Sequence, residues 1–141
     1  MSKFEAFMAG NAEQVENKKI VISKRFKDEN GNPLEWEIKA LTAEENETIQ
    51  KRDMVNVPIP GQRNQFTREL DQIKYTNDLL TAMVVYPDLN DSELQDSYKV
   101  MGSAALLRKM LYLDEYNNLA RACTGINDDK GIVNLVEEAK N

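Results

Sequence analysis

Apolar and polar residues alternate from Lys19 onward, with Ile20, Ile22 and Phe26 on one side and Val21, Ser23 and Arg25 on the other. That is the period of a half-buried strand. The alternation returns in Leu34, Trp36, Ile38 and Ala40 against Glu35, Glu37 and Lys39, and the intervening D-E-N-G-N-P supplies turn residues. A β-hairpin is predicted, with Lys24, Arg25 and Lys27 of one strand meeting Glu35 and Glu37 of the other across the ladder.

Beyond the hairpin the period lengthens. Thr42 and Glu45 form a capping box that opens a helix running to about Met54. Pro58 and Pro60 must break it, which predicts an exposed loop from Asn56 to Gln65. Phe66, Leu70 and Ile73 have helical spacing, yet Phe66-Thr67-Arg68 suits a short strand equally well. From Tyr75 the face of Tyr75, Leu79, Ala82, Met83 and Tyr86 predicts a helix that stops at Pro87. Asn90 with Glu93 predicts the next start, with Leu94, Tyr98 and Met101 as its apolar face and Gly102 as its stop. Ser103 then caps a helix carrying Leu106, Leu107, Met110 and Leu111. After a break near Leu113 and Asp114 comes a helix with Tyr116, Leu119, Ala120 and Cys123, ended by Gly125. Ile132, Leu135, Val136 and Ala139 predict a last amphipathic helix.

At the other end Phe4, Phe7 and Met8 make a small stripe on a short helix that Gly10 and Asn11 would end. A hydrophilic spacer from Asn11 to Lys18 follows. The pattern divides one globular domain into an N-terminal helix and spacer over 1–18, a hairpin plus helical core over 19–124, and a C-terminal helix over 125–141. The fold class is α+β, mainly α: an N-terminal β-hairpin followed by a cluster of short helices.

Composition narrows the chemistry. A chain of 141 residues suits a single core. Its net charge of -6 repels a phosphate backbone, so nucleic acid is not an expected partner. With no histidine and one cysteine, Ser/His/Asp triads, Cys/His pairs, HExxH zinc sites and internal disulfides are excluded. No run approaches the roughly 20 apolar residues that a membrane span needs, so no membrane role is expected and the chain should stay in the cytoplasm.

What remains of site chemistry is thin. Asp28, Asn30, Gly31 and Glu37 fall at positions 3, 5, 6 and 12 of a calcium-loop frame, but Phe26 occupies the first ligand position and Pro33 lies inside, so a hairpin turn is the better reading. Gly125, Lys130 and Gly131 fail the spacing of a phosphate loop. Glu44, Glu45 and Glu47 sit in a helix's first turns, where the dipole favours negative charge. Cys123 completes an apolar face and reads as an inert small hydrophobe, and Trp36 as the hairpin's core anchor. Two sets are left as partner-binding candidates. Leu106, Leu107, Met110 and Leu111 crowd more apolar surface into six positions than one helix face buries, and Phe4, Phe7 and Met8 are free to pack on their own core or on a neighbour. The residues point to a binding or assembly protein with no cofactor, metal or catalytic residue.

From Tyr75 onward the chain resembles the PBSX-type (XkdN-like) phage tail assembly chaperones of Gram-positive bacteria and their prophages. The resemblance rests on N-D-S-E-L-Q-D-S-Y-K-V-M-G at Asn90 to Gly102, A-L-L-R-K-M-L at Ala105 to Leu111 and D-E-Y-N-N-L at Asp114 to Leu119. Y-P-D-L at Tyr86 to Leu89 and L-E-W-E-I-K-A-L at Leu34 to Leu41 extend it. It implies a non-catalytic protein of the bacterial host cytoplasm, absent from the mature virion. Such a protein coats the tape-measure protein and helps tail-tube protein polymerise around it, and self-association would suit that task. The family also often makes a longer product by ribosomal frameshifting, and the final Ala139-Lys140-Asn141 can be encoded as a slippery heptamer. The competing class is a small acidic inhibitor or nucleic-acid mimic acting on a basic partner, which the interspersed lysines weaken.

Overall fold

The structure is a computed structural model that describes residues 3–126. The amphipathic stripe of Ile132, Leu135, Val136 and Ala139 lies outside the described residues. The N-terminal stripe forms a single 3-10 turn, Glu5–Phe7, in which no residue is buried.

The expected hairpin is present in shorter form. Strand β1 (Lys18–Ile20) pairs antiparallel with β2 (Trp36–Ile38), with Ile20 opposite Trp36 and Lys19 opposite Glu37. Trp36 and Ile38 are buried, as the alternation requires. Pairing lapses after Ile20, where Ser23 and Arg25 turn to Glu115 and Ile22 O accepts from Asn118 Nδ2. It returns at a bridge between Lys27 and Pro33 that flanks the expected turn, in which Asp28 Oδ1 accepts from the N–H groups of Asn30 and Asn32 at 2.8 and 2.9 Å and Gly31 takes φ 82°. The expected meeting of Lys24, Arg25 and Lys27 with Glu35 and Glu37 gives way in part to a different partner, since Arg25 reaches Glu115.

Helix α1 (Ala43–Arg52) opens with the reciprocal Thr42/Glu45 capping box. The residues after it are not a simple loop. β3 (Met54–Pro58) and β4 (Phe66–Leu70) pair antiparallel as a two-stranded ribbon, so the Phe66 segment is a strand. Only the tip between them is irregular, and the strand pattern succeeds there because Pro58 sits near the end of its strand. Helix α2 (Gln72–Met83) starts before Tyr75, capped by Asp71, whose side chain accepts from Lys74 N–H. It ends earlier than Tyr86: Val84–Tyr86 form β5, which joins β2 and completes a sheet of order β1-β2-β5.

Three boundaries shift in the last third. Helix α3 (Ser92–Ser97) is capped by Asp91 rather than Asn90, and it stops before Tyr98, with Lys99 at φ 58°. Met101 therefore leaves the apolar face and is 92% exposed. Gly102 at φ 95° is the N-cap of α4 (Ser103–Met110), so it opens that helix where Ser103 was the expected cap. The break before α5 (Leu113–Thr124) falls at Leu111 and Tyr112.

The core gathers Trp36 and Ile38 from the sheet, Leu80 and Met83 from α2, Leu106, Leu107 and Met110 from α4, and Leu119 and Cys123 from α5. Helix α2 packs against α1, α4, α5 and β5. Its buried Asn77 ties two of them: Nδ2 donates to Ala104 O at 2.9 Å, and Oδ1 accepts from the Tyr116 hydroxyl at 3.0 Å. Among the described residues no helix is long and apolar enough to cross a membrane.

Candidate interaction surface

Arg25 lies in the loop after β1, against the start of α5. Its Nε and Nη2 donate to the two carboxylate oxygens of Glu115 at 2.7 and 2.6 Å, and Nη2 also donates to Met110 O at 2.9 Å. Ser23 Oγ and Tyr112 N–H donate to the same carboxylate. The bond to Arg25 is the main influence that holds Glu115 down to about 2. Burial opposes it, and the Ser23 and Tyr112 bonds reinforce it.

The fixed guanidinium becomes a platform. Its carbon lies 4.8 Å from the Phe26 ring centre and 4.7 Å from that of Tyr112, within the range of attraction to a ring face. Beside this stack runs a groove of about 300 Å³ lined by Arg25, Tyr98, Lys109, Met110, Leu111 and Tyr112. Tyr112 and its neighbour Leu113 are 69% and 75% exposed. The arrangement sets the apolar Met110 and Leu111 beside Lys109, with the charge of Arg25 matched by Glu115, on a chain that is acidic overall.

The sequence candidates divide accordingly. Leu106 and Leu107 are wholly inside the core, because the α4 face that carries them is turned onto α2. Met110 and Leu111 are buried too, but they also line the groove. Phe4, Phe7 and Met8 are exposed and far more open than any core residue. Arg25, Tyr98, Lys109 and Tyr112 were not foreseen. The strand pattern pairs Arg25 with Glu35 or Glu37 across the hairpin, and Tyr112 lies next to a helix break with no pattern of its own.

A second polar cluster lies under the ribbon. Lys74 Nζ donates to Asp53 Oδ1 at 2.7 Å and to Asp78 Oδ2 at 2.9 Å, and Arg52 Nη2 is 3.4 Å from Asp78. Burial pushes the Asp78 carboxyl up, but the Lys74 bond together with the Asp53 and Arg52 neighbours leaves it below its ordinary value. Asp53 is fully buried, and its Oδ2 has no hydrogen-bond partner. Since Asp71 N–H also donates to Asp53 O at 3.0 Å, the cluster fastens the root of the ribbon to α2. Cys123 is buried, and burial pushes its thiol up to about 12, which suits packing and not nucleophilic attack. Among the described residues no group of three or more His, Cys, Asp or Glu could hold a metal ion.

The model of the phage XkdN-like tail assembly chaperone family matches residues 4–140. The chain belongs to this family. A relative of this chain is the phage-like element PBSX protein XkdN of Bacillus subtilis (strain 168), 28% identical over 137 residues, which span 96% of this chain and 91% of that protein. Another is the protein YqbN of the same organism, 29% identical over 137 residues with the same coverage. The fold agrees with the crystal structure of YqbN at a TM-score of 0.74 and 24% identity, covering 92% of this chain and 99% of that one.

Proposed function

We propose that this tail assembly chaperone holds the tape-measure protein of its phage or prophage in the host cytoplasm until tail-tube protein polymerises around it, and is not retained in the mature virion. The chemistry is binding alone, with no cofactor. The observation that carries the reading is the groove beside Tyr112, in a chain whose family is defined by tail assembly. A long rod-like client exposes apolar stripes before it is enclosed. A half-open groove of mixed polar and apolar lining, edged by Lys109 and by Arg25 in its pair with Glu115, fits an amphipathic helix whose apolar side chains rest on Met110 and Leu111 while its acidic residues meet Lys109. Met110 and Leu111 form the floor of that contact, and Leu106 and Leu107 hold the floor in place from behind. Phe4, Phe7 and Met8 offer a second apolar contact, to the client or to another copy of the chaperone.

Co-expression tests the reading. A tape-measure segment that aggregates alone should remain in solution and copurify with the chaperone. A segment that stays equally insoluble with and without the chaperone, across the length of the tape-measure protein, would contradict it.

A further inference from the structure

The ribbon has two outer edges, and they are not equivalent. In an antiparallel pair, opposed residues alternate between those that exchange main-chain hydrogen bonds and those whose N–H and C=O turn outward. Ile59 N–H donates to Gln65 O and Asp71 N–H to Asp53 O, both at 3.0 Å, at opposite ends of the ribbon. With Val57 opposite Thr67 and Val55 opposite Glu69, these bonds set the alternation. Met54, Asn56 and Pro58 therefore turn outward on β3, and Phe66, Arg68 and Leu70 on β4. Proline has no N–H, so Pro58 interrupts the β3 edge. The β4 edge offers a donor and an acceptor at each of its three outward positions. Its Phe66 side chain is 60% exposed, and among the described residues only β3 pairs with β4.

We propose that β4 is the docking edge for β4 of a second copy of this chain, running antiparallel with Thr67 opposite the second copy's Thr67. The side chains choose both occupant and register. Outward residues must face outward residues, and three self-pairings place more than one such bonded pair within β4: those centred on Thr67, Arg68 and Glu69. Centring on Arg68 sets two guanidiniums directly opposite one another, and centring on Glu69 sets two carboxylates opposite; like charges so placed are destabilising. Centring on Thr67 puts Phe66 opposite Arg68 twice, Gln65 opposite Glu69 twice, and threonine opposite threonine. The first is a cation over a ring and the last a threonine pair, both favourable across strands, and the second opposes no like charges. A single short edge buries less than the about 1,000 Å² of a stable interface, so the dimer forms only at high protein concentration. The pairing uses none of the groove residues, and its failure would leave the client-binding reading intact.

Disulfide trapping in the full chain tests both claims. Thr67→Cys, Arg68→Cys and Glu69→Cys are prepared separately and exposed to oxidised glutathione, with the native chain as control because the thiol of Cys123 is buried. In the proposed register Thr67 faces itself in a non-bonded pair, where side chains approach most closely. Thr67→Cys should therefore give a cross-linked dimer well ahead of the other two variants. Equal or faster cross-linking by Arg68→Cys or Glu69→Cys, or no dimer from Thr67→Cys, overturns the proposal. Sedimentation equilibrium gives an independent measure. Arg68→Pro removes an outward N–H without touching the ribbon's own bonds, so it should abolish the weak dimer of the native chain. A native chain that stays monomeric, or a dimer that persists in Arg68→Pro, overturns it as well.

Discussion

Arg25 and Glu115, 90 residues apart in the chain, are joined by two parallel hydrogen bonds of 2.7 and 2.6 Å. This fork fixes the loop after β1 to the start of α5 and holds the guanidinium carbon close to two ring centres, Phe26 at 4.8 Å and Tyr112 at 4.7 Å. It ties the hairpin to the helical half, and it shapes the groove proposed to receive the client.

Breaking the fork should cost stability in a pH-dependent way. The Glu115 carboxyl is held at about 2 against an ordinary 4.5, so its stabilising effect is complete above 4.5 and is lost as pH falls from there towards 2. Arg25→Ala should lower stability at neutral pH by about 2 kcal/mol, the order expected for hydrogen bonds to a charged group. It should also flatten the acid limb of the stability curve. Chemical denaturation followed by circular dichroism across that range measures both.

Lys74 answers two carboxylates, one of them fully buried. Lys74→Met should leave Asp53 and Asp78 facing each other with only Arg52 nearby and destabilise the fold by about 2 kcal/mol. Asp53→Asn together with Lys74→Met should recover part of that loss, because one of the two charges is gone. A double variant no more stable than the single one would show that the penalty has another source.

Leu107 and Tyr112 should separate folding from binding. Leu107 has no exposed surface, and Leu107→Ala should cost about 3 kcal/mol through the cavity it leaves. Tyr112→Ala removes a mostly exposed ring and should cost about 1 kcal/mol or less. Thermal melts of the two variants check the contrast.

Removing residues 1–10 should leave the melting temperature almost unchanged, since none of Glu5–Phe7 is buried. If Phe4, Phe7 and Met8 contact the client or another copy, the same deletion should weaken client capture or lower the mass seen in sedimentation.

Local signals were the legible part of this fold. Thr42 and Glu45 lie one helical turn apart, so their capping box is written in adjacent residues, and the alternation around Trp36 marks β2 without reference to anything distant. Non-local relationships were not legible in the same way. Val84–Tyr86 continue the apolar run of α2 and become a strand only because β2 offers an edge. Phe66 fits helix or strand until its partner β3 is known. Arg25 was visible as a charge, but Glu115 was only one of many carboxylates, and choosing it requires knowing that α5 packs beside the loop. The groove follows from that choice, which is why Met110 and Leu111 were recognised as apolar candidates while Tyr112 and Lys109 were not.

The central claim is that the groove beside Tyr112 binds the tape-measure protein, and the most direct test is the affinity of a purified tape-measure segment for the chaperone by titration calorimetry. Tyr112→Ala and Lys109→Glu should each weaken binding about tenfold or more, the effect of losing a contact worth roughly 1.4 kcal/mol. Phe66→Ser, on the ribbon, should bind as the native chain does. Unchanged affinity in both groove variants, with their fold intact by circular dichroism, would contradict the account.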